Sequence, residues 1–339
     1  MQIKASAYAT LLRQELGARN RIWARSQAHV ESYGNPPVIV YEPGEDRHGN
    51  FFDHAYQAMS ARPEWMRRFD KIHAQGRALP KAETGRRWRE LDSSMSSDAL
   101  LMNIFCAPGV LESHAVRGAL GIGAQEPAIF GWKARVPLAS GRFDRTEVDL
   151  RLGSLLIEAK LTEGDFQTRE ATIVEGYRDF DAVFDRGLLP RVELVTARRR
   201  EPTESPEDYS QEFESFVDAA AAESGILPVT QPAPATLSCS AAAGIPAYSS
   251  YQLIRNVLAA QAEWCSFCVI HDARRPDLRE SWFQVMAAVK SAELRVRLAV
   301  LTWQELAAML PLALQDFLDA KYGIVAPGCT ASSITEAAE

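Results

Sequence analysis

Asp149, Glu158 and Lys160 lie within the stretch Thr146-Glu147-Val148-Asp149-Leu150-Arg151-Leu152-Gly153-Ser154-Leu155-Leu156-Ile157-Glu158-Ala159-Lys160. Two apolar-alternating runs flank Gly153-Ser154, and a Gly at the first central position suits a type II′ hairpin turn. That turn would set Leu152 opposite Leu155, Asp149 opposite Glu158 and Glu147 opposite Lys160. Cross-strand partners share a face, as do residues two apart. The spacing therefore predicts four ionisable side chains on one face. Val148, Leu150, Leu152, Leu155, Ile157 and Ala159 fall on the other, toward a core. Two facing carboxylates repel each other, so burying them demands a cation. Lys160 supplies part of it. A divalent ion supplies the rest, and Mg²⁺ favours sites with one or two carboxylates plus water and substrate phosphates. Asp149 and Glu158 are then the metal ligands. A bound metal acidifies a water and offsets charge growing on a phosphate, while Lys160 orients that water or steadies the charge. The plain alternative for such a face is a solvated lattice of ion pairs.

Asp149 followed by Glu158-Ala159-Lys160, flanked by Leu155-Leu156-Ile157, resembles the D-x(n)-ExK motif of the PD-(D/E)xK superfamily, the restriction-endonuclease-like nucleases. Val148 stands where the superfamily often has Pro, a variable position. The segment Ser96-Ser97-Asp98-Ala99-Leu100-Leu101-Met102-Asn103-Ile104-Phe105 resembles the first core helix of an uncharacterised bacterial nuclease-like branch, in which a polar residue points toward the metal. Asp98 takes that position here, with Glu90 as the alternative. Ser96 and Ser97 read as helix-start residues. Leu161-Thr162-Glu163, Phe166 and Tyr177 are similar to the stretch that follows ExK in that branch. The resemblance covers roughly residues 86–322, with 201–246 unmatched. It implies an α/β fold with a mixed central sheet flanked by helices, and a Mg²⁺- or Mn²⁺-dependent nuclease acting on nucleic acid, with DNA as the expected substrate. The rival is a catalytically inactive nucleic-acid-binding or scaffold protein that keeps the fold.

Periodicity supplies the elements that would position these residues. Helices are expected over 1–27, 51–61, 64–75, 86–106, 170–184, 211–223, 251–263, 280–291 and 303–322. Strands are expected over 38–41, 128–138, 146–152, 155–161, 192–196, 265–270 and 295–301. Alternating strands and helices indicate an α/β fold. The expected organisation is a helical N-terminal extension over 1–84, a nuclease-like domain over 85–322 with a loop-rich insertion at about 201–246, and a disordered tail over 323–339. The helix opening at Tyr251 could carry Gln252 or Arg255 toward a phosphate.

The net charge of −7 has the wrong sign for a non-specific nucleic-acid coat protein. Basic residues cluster locally instead: Arg86, Arg87 and Arg89; Arg198 to Arg200; Arg274 and Arg275; Arg295 and Arg297. Such patches can contact phosphates while the rest of the surface stays acidic. Five scattered cysteines argue against a disulfide framework. Cys265-Ser266-Phe267-Cys268 lacks the second CxxC that a structural zinc site needs and reads as a buried strand. Gly121-Ile122-Gly123 lacks the rest of a dinucleotide fingerprint. No apolar run approaches a membrane span, and the first thirty or so residues mix charged and apolar types, unlike a signal peptide. These features lead us to expect a cytoplasmic protein with no membrane partner.

Overall fold

The computed structural model describes residues 5–73, 79–82, 85–123, 126–194 and 244–329. The expected helix at 211–223, the Arg198 to Arg200 cluster and nearly all of the expected insertion lie outside the described residues, as does the tail from 330 on.

The strands in chain order are β1 (His29–Glu31), β2 (Ile39–Tyr41), β3 (Ala128–Pro137), β4 (Phe143–Leu152), β5 (Leu155–Ala159), β6 (Arg169–Glu170), β7 (Arg191–Leu194), β8 (Ile245–Tyr248), β9 (Ser266–His271) and β10 (Leu298–Thr302). Five of them form a mixed central sheet in the order β10-β9-β5-β4-β3. β3, β4 and β5 are antiparallel neighbours, while β5, β9 and β10 run parallel. Parallel neighbours need crossover connections. The helix Tyr251–Ala262 lies on the path from β5 to β9, and the helix Pro276–Ala287 on the path from β9 to β10. A small sheet, β6-β8-β7, and the β1-β2 pair stand apart from it.

Each face of the sheet has its own core. Leu150, Leu152, Leu155, Ile157 and Ile270 pack with Leu100, Leu101 and Ile104 of the helix Ser97–Phe105, and with Leu12, Leu16, Phe317 and Tyr322. Val148, Leu156, Phe267 and Val269 pack with Leu253, Ile254 and Val257 of the crossover helix, and with Trp282. Leu12, Leu16, Phe51 and Met59, all within 1–84, thus share one core with β4 and β5. Arg19 and Asn20 bond to the backbone carbonyls of Asp319 and Lys321, joining the two ends of the described chain.

Several long helices expected from periodicity are shorter in the structure. Between Arg86 and Cys106 only Ser97–Phe105 is α-helical, preceded by a 3-10 turn at Glu90–Asp92. Ser93 instead runs extended and bridges Val40 of β2, and Ser94, opening a turn, donates its N–H to Ile39 O at 3.0 Å. Ser96 caps the helix by accepting from Ala99 N–H. Of the helix expected over 64–75, the described residues are α-helical only over Pro63–Met66, followed by a 3-10 turn at Arg67–Asp70. Residues 170–184 form two single turns, Ala171–Val174 and Phe180–Val183. Pro311 divides the last helix into Trp303–Ala307 and Leu312–Tyr322, since Pro has no N–H to continue it. Gly323 ends it at φ 61°, and Ile324 beyond it is buried, so the expected tail begins as ordered chain.

Candidate active site

The β4-β5 turn forms as its sequence requires, with Gly153 at φ 55° and pairs Leu152–Leu155, Arg151–Leu156 and Leu150–Ile157. The pairing stops there. Asp149 Oδ2 accepts the Ala159 N–H at 2.7 Å, a side chain taking over from a backbone carbonyl. Beyond this point β5 is held from the other side: Glu158 pairs with Val269, Ala159 with Ile270, and Lys160 N–H donates to Ile270 O at 2.8 Å. Asp149, Glu158 and Lys160 meet where two strands separate.

The expected single face of four charges is not what forms. Val148 packs in one core and Leu150 in the other, so the inward–outward alternation of β4 reverses at Asp149. β3 reverses alongside it: Phe130 packs on one side, Trp132 on the other, and Gly131 between them sits at φ 64°. A strand Gly marks a bulge or a close approach, and here it is the close approach, since the β3-β4 register is the same on both sides of Gly131. A Cβ on Gly131 would lie 2.6 Å from Arg68 Nη1. The reversal carries Glu147 away from Lys160 to a new partner, Arg68 Nη1 at 2.5 Å.

Arg68 is one residue that sequence reasoning missed. Its guanidinium bridges Glu147 and Asp98, with Nη2 2.6 Å from Asp98 Oδ2. Lys71 lies 2.9 Å from Glu90 Oε2 and 3.6 Å from Asp98 Oδ2. Both first-helix candidates are therefore tied to the site by cations from residues 67–71. Asp98 is buried on its helix, whereas Glu90 precedes the helix and sits farther out. No pattern marked Arg68 and Lys71, which lie in a segment with no chemistry of its own.

Asn256 was also missed. Its Nδ2 donates to Glu158 Oε2 at 2.8 Å, and its Oδ1 accepts from the Thr146 hydroxyl at 3.3 Å. The hydroxyl fixes the amide orientation, which turns the NH₂ toward the carboxylate. The other Glu158 oxygen lies 3.2 Å from Lys160 Nζ. Trp303 Nε1 donates to Lys160 O at 2.9 Å. The buried Arg275 ties the following loop through the carbonyls of Leu161, Glu163 and Gly164. Of the two helix residues considered for phosphate contact, Arg255 stacks over Tyr251 and feels the field of Glu158, while Gln252 is partly buried.

The electrostatics follow from crowding. Burial, then Glu158 and Asp98, push the Asp149 carboxyl well above its ordinary range; Lys160 and the Ala159 N–H pull it back only in part. Burial alone would lower the Lys160 ammonium, but Glu158, Glu163 and Asp149 together hold it above the usual lysine range. Glu90 is raised by burial and by Asp98. Six carboxylates (Glu90, Asp98, Glu147, Asp149, Glu158 and Glu163) thus share three cations, Arg68, Lys71 and Lys160. This excess of negative oxygen suits a hard divalent cation. Among the described residues, no group of three or more His, Cys, Asp or Glu side chains is gathered around one metal position. Cys265 and Cys268 are buried free thiols, the latter pushed up to about 12 by burial.

A five-stranded mixed sheet flanked by helices, with Asp on one strand and Glu-x-Lys closing its neighbour, defines a restriction-endonuclease-like fold. The chain belongs to the family described as Restriction Endonuclease associating with ARP, whose sequence pattern matches residues 18–323. That match begins well inside the segment expected to be an extension. No curated protein and no solved structure matches the chain. No helix among the described residues is long and apolar enough to cross a membrane.

Proposed function

We propose that this chain is a divalent-metal-dependent nuclease that hydrolyses phosphodiester bonds in DNA. The observation that carries this reading is the meeting of Asp149, Glu158 and Lys160 where β4 and β5 part, with Asp149 pushed toward its protonated form by burial first and then by Glu158 and Asp98. A buried like-charged pair is a standing cost unless a cation joins it. Asp149 and Glu158 would hold Mg²⁺ or Mn²⁺, with solvent and a substrate phosphate completing the shell. A metal bound there supplies an acidified water and charge for the phosphate oxygens. Glu158, Glu163 and Asp149 favour the charged form of Lys160 against its burial. The part of Lys160 is to donate, to that water or to a phosphate oxygen, and to offset developing charge. Asn256 fixes the rotamer of Glu158. Asp98, bridged to Glu147 by Arg68, shapes the field around Asp149, and Glu90 does so from farther out.

The test is cleavage of plasmid, linear DNA and RNA by the wild type and Lys160→Ala, with Mg²⁺ or Mn²⁺ and with EDTA. Wild type should cut DNA only with metal, and the variant should be slower by about 10²–10³-fold, the usual cost of one transition-state donor. Equal cleavage by both proteins defeats the role given to Lys160. Binding without any cleavage would favour the inactive nucleic-acid-binding reading.

A further inference from the structure

The β3-β4 hairpin continues well past the last β4-β5 pair, through Lys133–Glu147, Ala134–Thr146, Arg135–Arg145 and Pro137–Phe143. Its back is covered, with Ala134, Val136 and Val148 buried in a core that includes the crossover helix. Its front carries Lys133, Arg135, Phe143 and Arg145, all exposed. Arg135 and Arg145 face each other directly, an arrangement that destabilises a sheet when nothing anionic lies over it. No carboxylate within the described residues forms an ion pair with Lys133, Arg135 or Arg145. The Arg135 guanidinium lies over the Phe143 ring at 4.2 Å, which holds its planar fork ready.

The sequence clusters of arginine contrast with this. Arg275 is buried on carbonyls and Asp277, Arg274 is tied to Asp272 and Glu15, and Arg86 to Asp92. Arg297 bonds Cys265 O. Those cations serve the fold, whereas the cations of the hairpin are left over. They also run into the site, because Lys133 lies opposite Glu147, the partner of Arg68. Residues two apart on a strand are about 7 Å apart, so the front forms a narrow, regularly spaced basic track with one aromatic platform.

We infer that the front of the β3-β4 hairpin binds the phosphodiester backbone of the DNA leading away from the cleavage point. This rests on the nuclease reading for its substrate. The track supplies sequence-independent grip, and its phosphate contacts set position rather than specificity.

The test is binding of a fluorescent 30-bp duplex by anisotropy in EDTA across a salt series, with cleavage kinetics in Mg²⁺. The combined variant Lys133→Ser, Arg135→Ser, Arg145→Ser should lower the slope of log affinity against log salt by roughly 3. It should weaken binding at least tenfold at low salt and raise KM while largely sparing kcat. Restoring charge with Arg135→Lys and Arg145→Lys, Lys133 kept, should recover most of the slope. Arg279→Ser with Arg295→Ser, beside β9 and β10 at the far edge of the sheet, should leave it unchanged. An unchanged slope in the triple variant, or an equal fall in the far-edge variant, overturns the hairpin assignment while leaving the nuclease reading intact. A wild type that neither binds nor cuts DNA overturns the nuclease reading itself. Thermal melting checks that each variant is folded.

Discussion

Asp149→Asn should make the metal-free protein more stable and the metal-treated protein less so. The carboxylate faces Glu158 and Asp98 in a buried setting, which raises it well above its ordinary range. A raised native pKa means that the folded state holds the proton longer than the unfolded chain. Stability from this group is therefore complete below the ordinary carboxylate range and declines as pH rises through the raised value. At neutral pH without metal, the charge is a burden. Asn removes it and keeps an oxygen for the Ala159 N–H that Asp149 now accepts at 2.7 Å. Relief of a buried, poorly compensated charge is worth about 1–3 kcal/mol. With roughly 2.1 cal/mol/K of unfolding entropy per residue, a chain of 339 residues gains about 1.4 °C per kcal/mol, so the melting point should rise by about 1–4 °C. Mg²⁺ at about a hundred times its dissociation constant stabilises the wild type by about 2.7 kcal/mol, or about 4 °C. The variant should lose most of that gain together with cleavage. Calorimetry in EDTA and in saturating Mg²⁺ should thus show the two melting curves exchanging order. A variant that melts below wild type in EDTA, or that gains as much from Mg²⁺, refutes the reasoning.

Asn256→Ala deletes the donor to Glu158 and should cost about 1.5–3 kcal/mol in urea unfolding, as expected for a hydrogen bond to a charged group; its cleavage rate should fall at saturating metal and DNA. Gly131→Ala meets both a left-handed φ of 64° and the Arg68 guanidinium, so roughly 1–3 kcal/mol of stability should be lost. Arg68→Ala would separate the two causes, since it removes the clash but not the backbone strain. Lys321, buried with its Nζ 2.6 Å from Asn20 Oδ1, is held well below its ordinary range by burial. The folded state then binds fewer protons than the unfolded one, so this lysine makes stability rise with pH up to the ordinary lysine range. Lys321→Met should flatten that rise in unfolding curves measured from neutral pH to about 10.

Much of the β4-β5 hairpin could be read in the sequence, because turn chemistry fixes register locally. Gly153-Ser154 set the Leu152–Leu155 pair, and the register held to Leu150–Ile157. It failed where long-range forces act. Separation of the strands at Asp149 depends on β9 holding Glu158 and Ala159, and β9 lies more than a hundred residues away. The one available signal was Gly131, a glycine inside a strand pattern. The helix Tyr251–Ala262 was legible from its periodicity, but Asn256 was not, since a buried Asn on an apolar face has no partner until the fold supplies one. The long helix expected from Arg86 was lost to tertiary pairing of Ser93 and Ser94 beside β2. The arginine runs were legible as charge yet misleading as surface, because adjacent cations along a chain need not share a face. Alternate positions on a strand do share one, as Lys133 and Arg135 do, and no ion pair within the described residues claims either.

The bridge from Arg68 to Asp98 and Glu147 also bears on where this molecule can be cut. A fragment beginning at residue 85 would keep every acid of the motif yet discard two of its counter-charges and the Leu12, Leu16 and Phe51 side of its interior. Such a piece should aggregate or remain molten when expressed. Any minimal version intended for crystallisation or redesign therefore has to start upstream of Leu12.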